Sequence, residues 1–171
     1  MSIDKSGLPP VSVEELKAAV GREIGVSPWR RITQEMIDKF AEVTDDHNFI
    51  HVDPKAAAQT PFGGTIAHGF LTLSMLSTMA YETIPALKGR KMGINYGFDK
   101  IRFAAPVKTD GRIRARFKID EVKVRPTGYI QVDYRVTMEL EGSAKPALTA
   151  RWITVAVMEE GALANDSEQA S

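Results

Sequence analysis

The sequence predicts an α+β fold in which an antiparallel sheet curls around one long apolar helix, and three observations predict it. The stretch FLTLSMLSTMA, Phe70 to Ala80, is apolar or small on nearly every face and reads as a helix enclosed by protein. After Gly93 the hydrophobic period changes from helical to two, which gives four long strand segments. A shorter strand near Trp29 completes the sheet. A sheet curled in this way leaves edge strands open, so pairing with a second copy of the chain is expected.

Taken in order, residues 1–11 are polar, carry Gly7 and Pro9-Pro10, and read as a flexible lead. Ser12 followed by Glu15 has the form of a capping box, and Val13, Leu16, Ala19 and Val20 recur at helical spacing, so a short helix runs to about Gly21. Trp29 to Ile32 reads as a short strand. Thr33 stands where an N-cap belongs, and Met36, Ile37, Phe40 and Val43 form one apolar stripe at three- and four-residue steps. A loop rich in His and Asp follows, then a helical turn from Pro54 to Gln59 and the glycine-bearing TPFGGT. The enclosed helix runs from about Ala67 to Tyr81 and is closed by the Pro85 and Gly89 region.

Beyond it, Asn95 to Phe103 makes a strand. Ile113, Ala115, Phe117 and Ile119 alternate, while Val122 and Val124 are out of phase with them, a slip that predicts a bulge near Asp120-Glu121. Pro126-Thr127-Gly128 supplies a turn into Ile130 to Leu140, where the alternation is clearest. Ala147 to Met158 is apolar on both faces in its middle, as an internal strand should be. One domain thus spans residues 12–158, and residues 159–171 read as a disordered tail.

A chain of 171 residues can bury one sizeable core. Its 22 basic and 22 acidic side chains cancel, which argues against nucleic acid or an anionic membrane as the main partner. The absence of cysteine excludes disulfides, a thiol nucleophile and thiolate metal sites. The opening residues lack a signal-peptide pattern and no run is long enough to cross a bilayer, so a cytoplasmic location is the default expectation.

The chemistry is concentrated between Thr44 and Ser77. All three histidines, His47, His51 and His68, fall there, with Asp45, Asp46, Asn48 and Asp53 beside them. Gly63-Gly64 and His68-Gly69 lead into the enclosed helix, whose N-terminus presents unpaired N–H groups and a partial positive charge suited to a developing oxyanion. The pattern is an acid/base loop set against a helix mouth. Asp46 also fits an Asx-turn or N-cap, and His51 also fits a loop histidine bonded to backbone. Mixed His and carboxylate groups would suit zinc or non-haem iron, but His47 and His51 share a side only in a helix, and Asn48 and Pro54 mark the segment as a loop.

The loop Asp46-His47-Asn48-Phe49-Ile50-His51, the run Ala67-His68-Gly69-Phe70 and the late strands resemble a MaoC-like hot-dog-fold dehydratase of the (R)-specific enoyl-CoA hydratase group. PFGGTIAHGFLTLSM, NYGFDKIRFAAPV and EGSAKPAL are similar to its NodN-like branch. The resemblance covers roughly Ser12 to Val157. It implies homodimers, no metal or other cofactor, and hydration of trans-2-enoyl thioesters or the reverse dehydration. It puts the catalytic Asp on Asp46, the catalytic His on His51 and the motif Asn on Asn48. The glycine whose N–H binds the thioester oxygen falls on Gly69, and a serine near that oxygen on Ser77. Two positions depart from the common motif, which has Gly before the Asp and Pro after the Asn. Here they are Asp45 and Phe49, so a differently bent loop and an extra charge beside Asp46 are expected.

Asp46 and His51, five residues apart around a turn, can share one water. His47 is expected to face solvent and His68 to fix the turn before the helix. Ser77 reads equally as a hydrogen-bond donor to a carbonyl at the mouth and as a back-bonded helical serine. Asn48 orients the loop or holds the water. Lys100, Arg102, Arg112, Arg114, Arg116 and Lys118 read as a solvated face from which a coenzyme A phosphate could draw a partner. Met75, Leu76 and Met79 read as core first and acyl pocket second. A hot-dog thioesterase and a non-catalytic acyl-CoA or acyl-carrier binding module are the alternative readings.

Overall fold

The structure, a computed structural model, describes residues 6–162. The remainder of the predicted tail, 163–171, and the first five residues of the lead lie outside the described residues. Helix α1 (Val13–Ala18) carries the predicted capping box: Glu15 N–H donates to Ser12 Oγ at 3.1 Å and Ser12 N–H to Glu15 Oε2 at 2.7 Å. Just before it, Val11 bridges to Leu87, which ties the end of the lead to the body.

Strand β1 (Glu23–Val26) was not anticipated, because four residues interrupted by Gly25 show no period. The glycine is needed for approach: a Cβ there would lie 2.4 Å from the Thr83 methyl and 2.9 Å from its carbonyl oxygen. The strand predicted at Trp29–Ile32 is the two-residue β2 (Arg30–Arg31). Helix α2 (Gln34–Thr44) starts at the predicted cap, with Met36 N–H donating to Thr33 Oγ1 at 3.3 Å. Its apolar stripe is corrected. Ile37 and Ala41 are fully buried, whereas Val43 is 85% exposed. At 100° per residue Val43 lies about 200° around the axis from Ala41, on the far side.

Two short helices, α3 (Phe49–Val52) and α4 (Pro54–Ala57), occupy the segment read as loop and helical turn. The central helix α5 (Gly69–Tyr81) begins two residues later than predicted. Leu76 and Met79 are fully buried in it, but Phe70 is 67% exposed and Ser74, one turn on, is exposed too. The expectation that protein encloses this helix on nearly every face therefore fails along one flank.

Strands β3 (Arg90–Phe103), β4 (Arg112–Val124), β5 (Ile130–Leu140) and β6 (Leu148–Met158) follow. All pairings are antiparallel, in the order β1-β4-β5-β6-β3, with β2 also on β4. The register between β4 and β5 slips between Ile119 and Glu121, the position the phase change indicates. β6 is internal, as predicted. β3 begins five residues earlier than predicted and forms an edge; its first half is exposed on both faces and so carries no alternation.

Inward side chains of four strands meet in one aromatic cluster, with Phe98 stacked on Trp152 at 6.0 Å and Tyr134 at 5.9 Å from the same indole. On the outer face Arg112 pairs with Glu141, and Arg114 and Arg116 with Glu139, while Arg114 covers Trp29 at 4.5 Å. These three arginines of the solvated face the sequence suggests are thus neutralised by acids in or just after β5. No helix among the described residues is long and apolar enough to cross a membrane.

Candidate active site

The acid/base loop hangs from the C-terminus of α2. Asp45 ends that helix in the left-handed conformation, φ 57°, which glycine adopts most readily and aspartate tolerates. Its carboxylate is fully exposed and lies 3.8 Å from His47 Nε2, so the extra charge and the outer histidine face solvent together. Phe49 is the first residue of α3, the position at which proline fits a helix best. The two departures from the common motif therefore fall where the backbone accommodates either residue.

Asn48 caps α3: Ile50 N–H donates to its Oδ1 at 3.3 Å, so its carbonyl is spent on turn chemistry. Asp53 caps α4, with the Lys55 and Ala56 N–H groups at 3.0 Å, and is removed from the acid/base candidates. Asp46 makes neither bond. Its side chain is 55% exposed and its carboxylate accepts no hydrogen bond among the described residues. The Asx-turn or capping role left open for Asp46 belongs instead to Asn48 and Asp53.

His51 is buried on the one turn of α3. Its Nδ1 lies 2.7 Å from the Ile66 carbonyl oxygen; a carbonyl only accepts, so Nδ1 carries the proton and Nε2 keeps its lone pair. Gln34, at the first turn of α2, donates to the His51 carbonyl at 2.8 Å and accepts from Thr65 at 2.6 Å and Thr109 at 2.8 Å. This hub holds α3 against the strand-like run 65–67. Sequence reasoning missed it, because an isolated Gln at a helix start carries no signal of its far partners. Burial pulls the His51 pKa below its ordinary value, and nearby His68 adds to this; the Ile66 carbonyl and the Asp46 charge oppose it. His51 is a neutral base with a free Nε2.

His68 is 2% exposed and its ring stacks on that of His51, centroids 3.8 Å apart and planes at 29°. Ring nitrogens of both histidines and a carboxylate oxygen of Asp46 lie within 4.8 Å of one another. The set has the composition of a two-histidine, one-carboxylate metal site. Imidazole lone pairs lie in the ring plane, however, and an ion would need a position in both of two stacked planes. The arrangement suits proton transfer better than coordination.

Gly69 opens α5 directly after His68, so its N–H has no acceptor within the helix. Its φ is not left-handed, and the space in front of it is tight: a Cβ would lie 3.1 Å from the ring of Phe103. Ser77 is corrected. It lies eight residues down a continuous helix, about 12 Å along the axis, beyond hydrogen-bond reach of an oxygen held at Gly69. It is not back-bonded either; its Oγ accepts from Asn95 Nδ2 at 3.0 Å. Asn95 also lines a cavity of about 80 Å³ at the far end of α5, walled by Leu16, Tyr81, Ile84, Tyr134 and Trp152. Burial pushes the Tyr134 hydroxyl up to about 12. Leu76 and Met79 are part of the core, with Met75 packed against it half-buried, and none of the three lines this cavity.

Residues 15–140 match the MaoC like domain. The chain is 49% identical over 147 residues to nodulation protein N of Rhizobium meliloti, spanning 85% of this chain and 91% of that protein. It is 47% identical over 142 residues to 3-hydroxyacyl-thioester dehydratase Z of Mycobacterium tuberculosis, spanning 83% and 93%. Among solved structures, the monoamine oxidase regulatory protein from Archaeoglobus fulgius aligns with a TM-score of 0.73 at 24% identity, over 89% of this chain and 97% of that one. The (R)-hydratase from A. caviae aligns with a TM-score of 0.65 at 24% identity, over 79% and 94%. A long helix wrapped by an antiparallel sheet, with the matched residues running from α1 through β5, makes this chain a member of the MaoC-like domain family with the hot-dog fold.

Proposed function

We propose that the chain is an (R)-specific enoyl-CoA hydratase, equally a 3-hydroxyacyl-thioester dehydratase, with Asp46 and His51 as its acid/base pair. The observation that carries this reading is an unbonded Asp46 carboxylate beside a buried neutral His51, at the mouth of α5. A dehydratase relative at 47% identity supports the reaction class. In the hydration direction a water held between Asp46 and His51 Nε2 loses a proton to the pair as its oxygen attacks C3. The thioester oxygen takes up the charge as an enolate and meets the Gly69 N–H. The pair then returns the proton to C2 from the face on which water entered, giving syn addition. The acyl chain runs along α5 past Ser77 and Asn95 toward the far cavity. No metal takes part.

The test is the loss of conjugated-enoyl absorbance with crotonyl-CoA and a medium-chain enoyl-CoA, using chelator-treated protein with free thiol followed in parallel. Signal loss without thiol, yielding the (R)-3-hydroxy product, supports the reading. Thiol release assigns a thioesterase, and binding without turnover assigns a binding module.

The pH profile follows from His51. The base form is the working form and its pKa lies below the ordinary 6.5, so kcat/KM should hold through neutral pH and fall only on the acid side of that value. Stability carries the same sign. A histidine with a lowered folded-state pKa stabilises above 6.5 and loses that contribution as pH falls toward its folded value, which thermal unfolding across the range will show.

The working assembly is a homodimer joined along β3. This edge runs 14 residues and exposes Met92, Ile94 and Tyr96, a long apolar edge of the kind that seeks a partner. Sedimentation equilibrium should give twice 18.8 kDa, and Ile94→Lys with Tyr96→Lys should halve it. A monomeric wild-type protein rejects the dimer.

A further inference from the structure

His68 occupies the N-cap of α5 but does no capping: its side chain makes no hydrogen bond to the helix it precedes. Its Nε2 lies 2.9 Å from the main-chain carbonyl oxygen of Asp46, and a carbonyl accepts, so Nε2 is the protonated nitrogen. Asp46 follows the left-handed residue that ends α2, where no helical bond holds the backbone. The bond from His68 is the one hydrogen bond seen for Asp46 among the described residues. The same nitrogen is 4.0 Å from Asp46 Oδ2.

We infer that His68 is a positioning residue for the acid/base pair, one imidazole fixing both the main chain that carries Asp46 and the ring plane of His51. The inference rests on the hydration reading for its chemistry. The ring is held in place to do this: it is 2% exposed, stacks on His51 at 3.8 Å and meets the Phe40 ring at 5.0 Å. Nδ1 is buried with no hydrogen-bond partner among the described residues, so the bond from Nε2 to the Asp46 carbonyl is the ring's one hydrogen bond. A proton on Nε2 therefore satisfies the Asp46 carbonyl while the ring face stays against His51. This goes beyond fixing the turn before α5, since the donor reaches 22 residues back along the chain.

Two variants separate the two contacts. His68→Phe keeps a ring for the stack and removes the donor; His68→Gln keeps a donor and removes the ring. With crotonyl-CoA, His68→Phe should lower kcat by about 100-fold, the scale of a 1 Å misplacement, while KM changes less than about twofold. His68→Gln should recover about tenfold of that loss. In an Asp46→Asn background, His68→Phe should cost less than about threefold more, because the group it places is already disabled. Unchanged kcat in His68→Phe, or the full loss repeated in the Asp46→Asn background, overturns the inference. Nitrogen-15 shifts of wild-type protein at neutral pH give a readout independent of turnover, expected as Nε2–H for His68 and Nδ1–H for His51. A bare, unprotonated Nε2 on His68 overturns the hydrogen bond itself. Those tautomers in a protein that hydrates no thioester reject the hydratase reading and leave the geometry standing.

Discussion

Asp46→Asn lowers kcat for crotonyl-CoA hydration by about three orders of magnitude and leaves the melting temperature within a few degrees of wild type. The size follows from what is removed. An amide of the same shape can still hold a water at the site, but it cannot accept the water's proton, and His51 must then work alone. The small effect on stability follows from what is kept. The carboxylate is half exposed and accepts no hydrogen bond among the described residues, so its loss orphans no buried partner. The bond from His68 goes to the Asp46 main chain and survives the substitution. Replacing His51 is a less clean experiment, because its Nδ1–H satisfies the buried Ile66 carbonyl and its removal would cost stability as well as rate. Stopped or steady-state rates of Asp46→Asn, together with thermal unfolding, decide the matter. Activity near wild type would move the base to His51 or to a group not yet assigned.

What could be read from sequence follows the range of the interactions involved. Ile113, Ala115, Phe117 and Ile119 announce β4, and the phase slip to Val122 announces its bulge, because alternation is set by neighbours two residues apart. The capping box at Ser12 and the cap at Thr33 are legible for the same reason. Strand β1 and the first five residues of β3 are held by pairing across the sheet, with no local pattern to show it. Val43 continues the apolar spacing of α2 but points away from the core, a direction fixed only by where α2 docks. In the site, Asp46 and His51 are near in sequence and their convergence can be foreseen around a turn. The His68 bond to Asp46 spans 22 residues and the Gln34 bond to Thr109 spans 75, and neither spacing carries a signal. For Ser77 the spacing misleads in the other direction, since eight residues of helical rise carry it about 12 Å from the mouth.

Gly69→Leu should lower kcat/KM by about 100- to 1,000-fold, the scale of losing one oxyanion donor, while the late strands stay folded. The N–H persists in the variant, so the loss must come from crowding. A Cβ at this position meets Phe103 at 3.1 Å, and the rest of a leucine has to displace that ring or enter the space in front of the helix. Phe103 is 48% exposed at the end of an edge strand and can yield, which confines the strain to the mouth. Glycine here thus admits two explanations, the seat for Phe103 and the close approach of a thioester to the backbone. Gly69→Ala with and without Phe103→Ala separates them. With the ring gone, the clash with Phe103 is gone too. A rate loss of about tenfold that persists in the Phe103→Ala background assigns the crowding to the substrate side and supports the oxyanion role of the Gly69 N–H. If the loss disappears with the ring, the glycine serves packing alone, and the thioester oxygen must find its donor elsewhere.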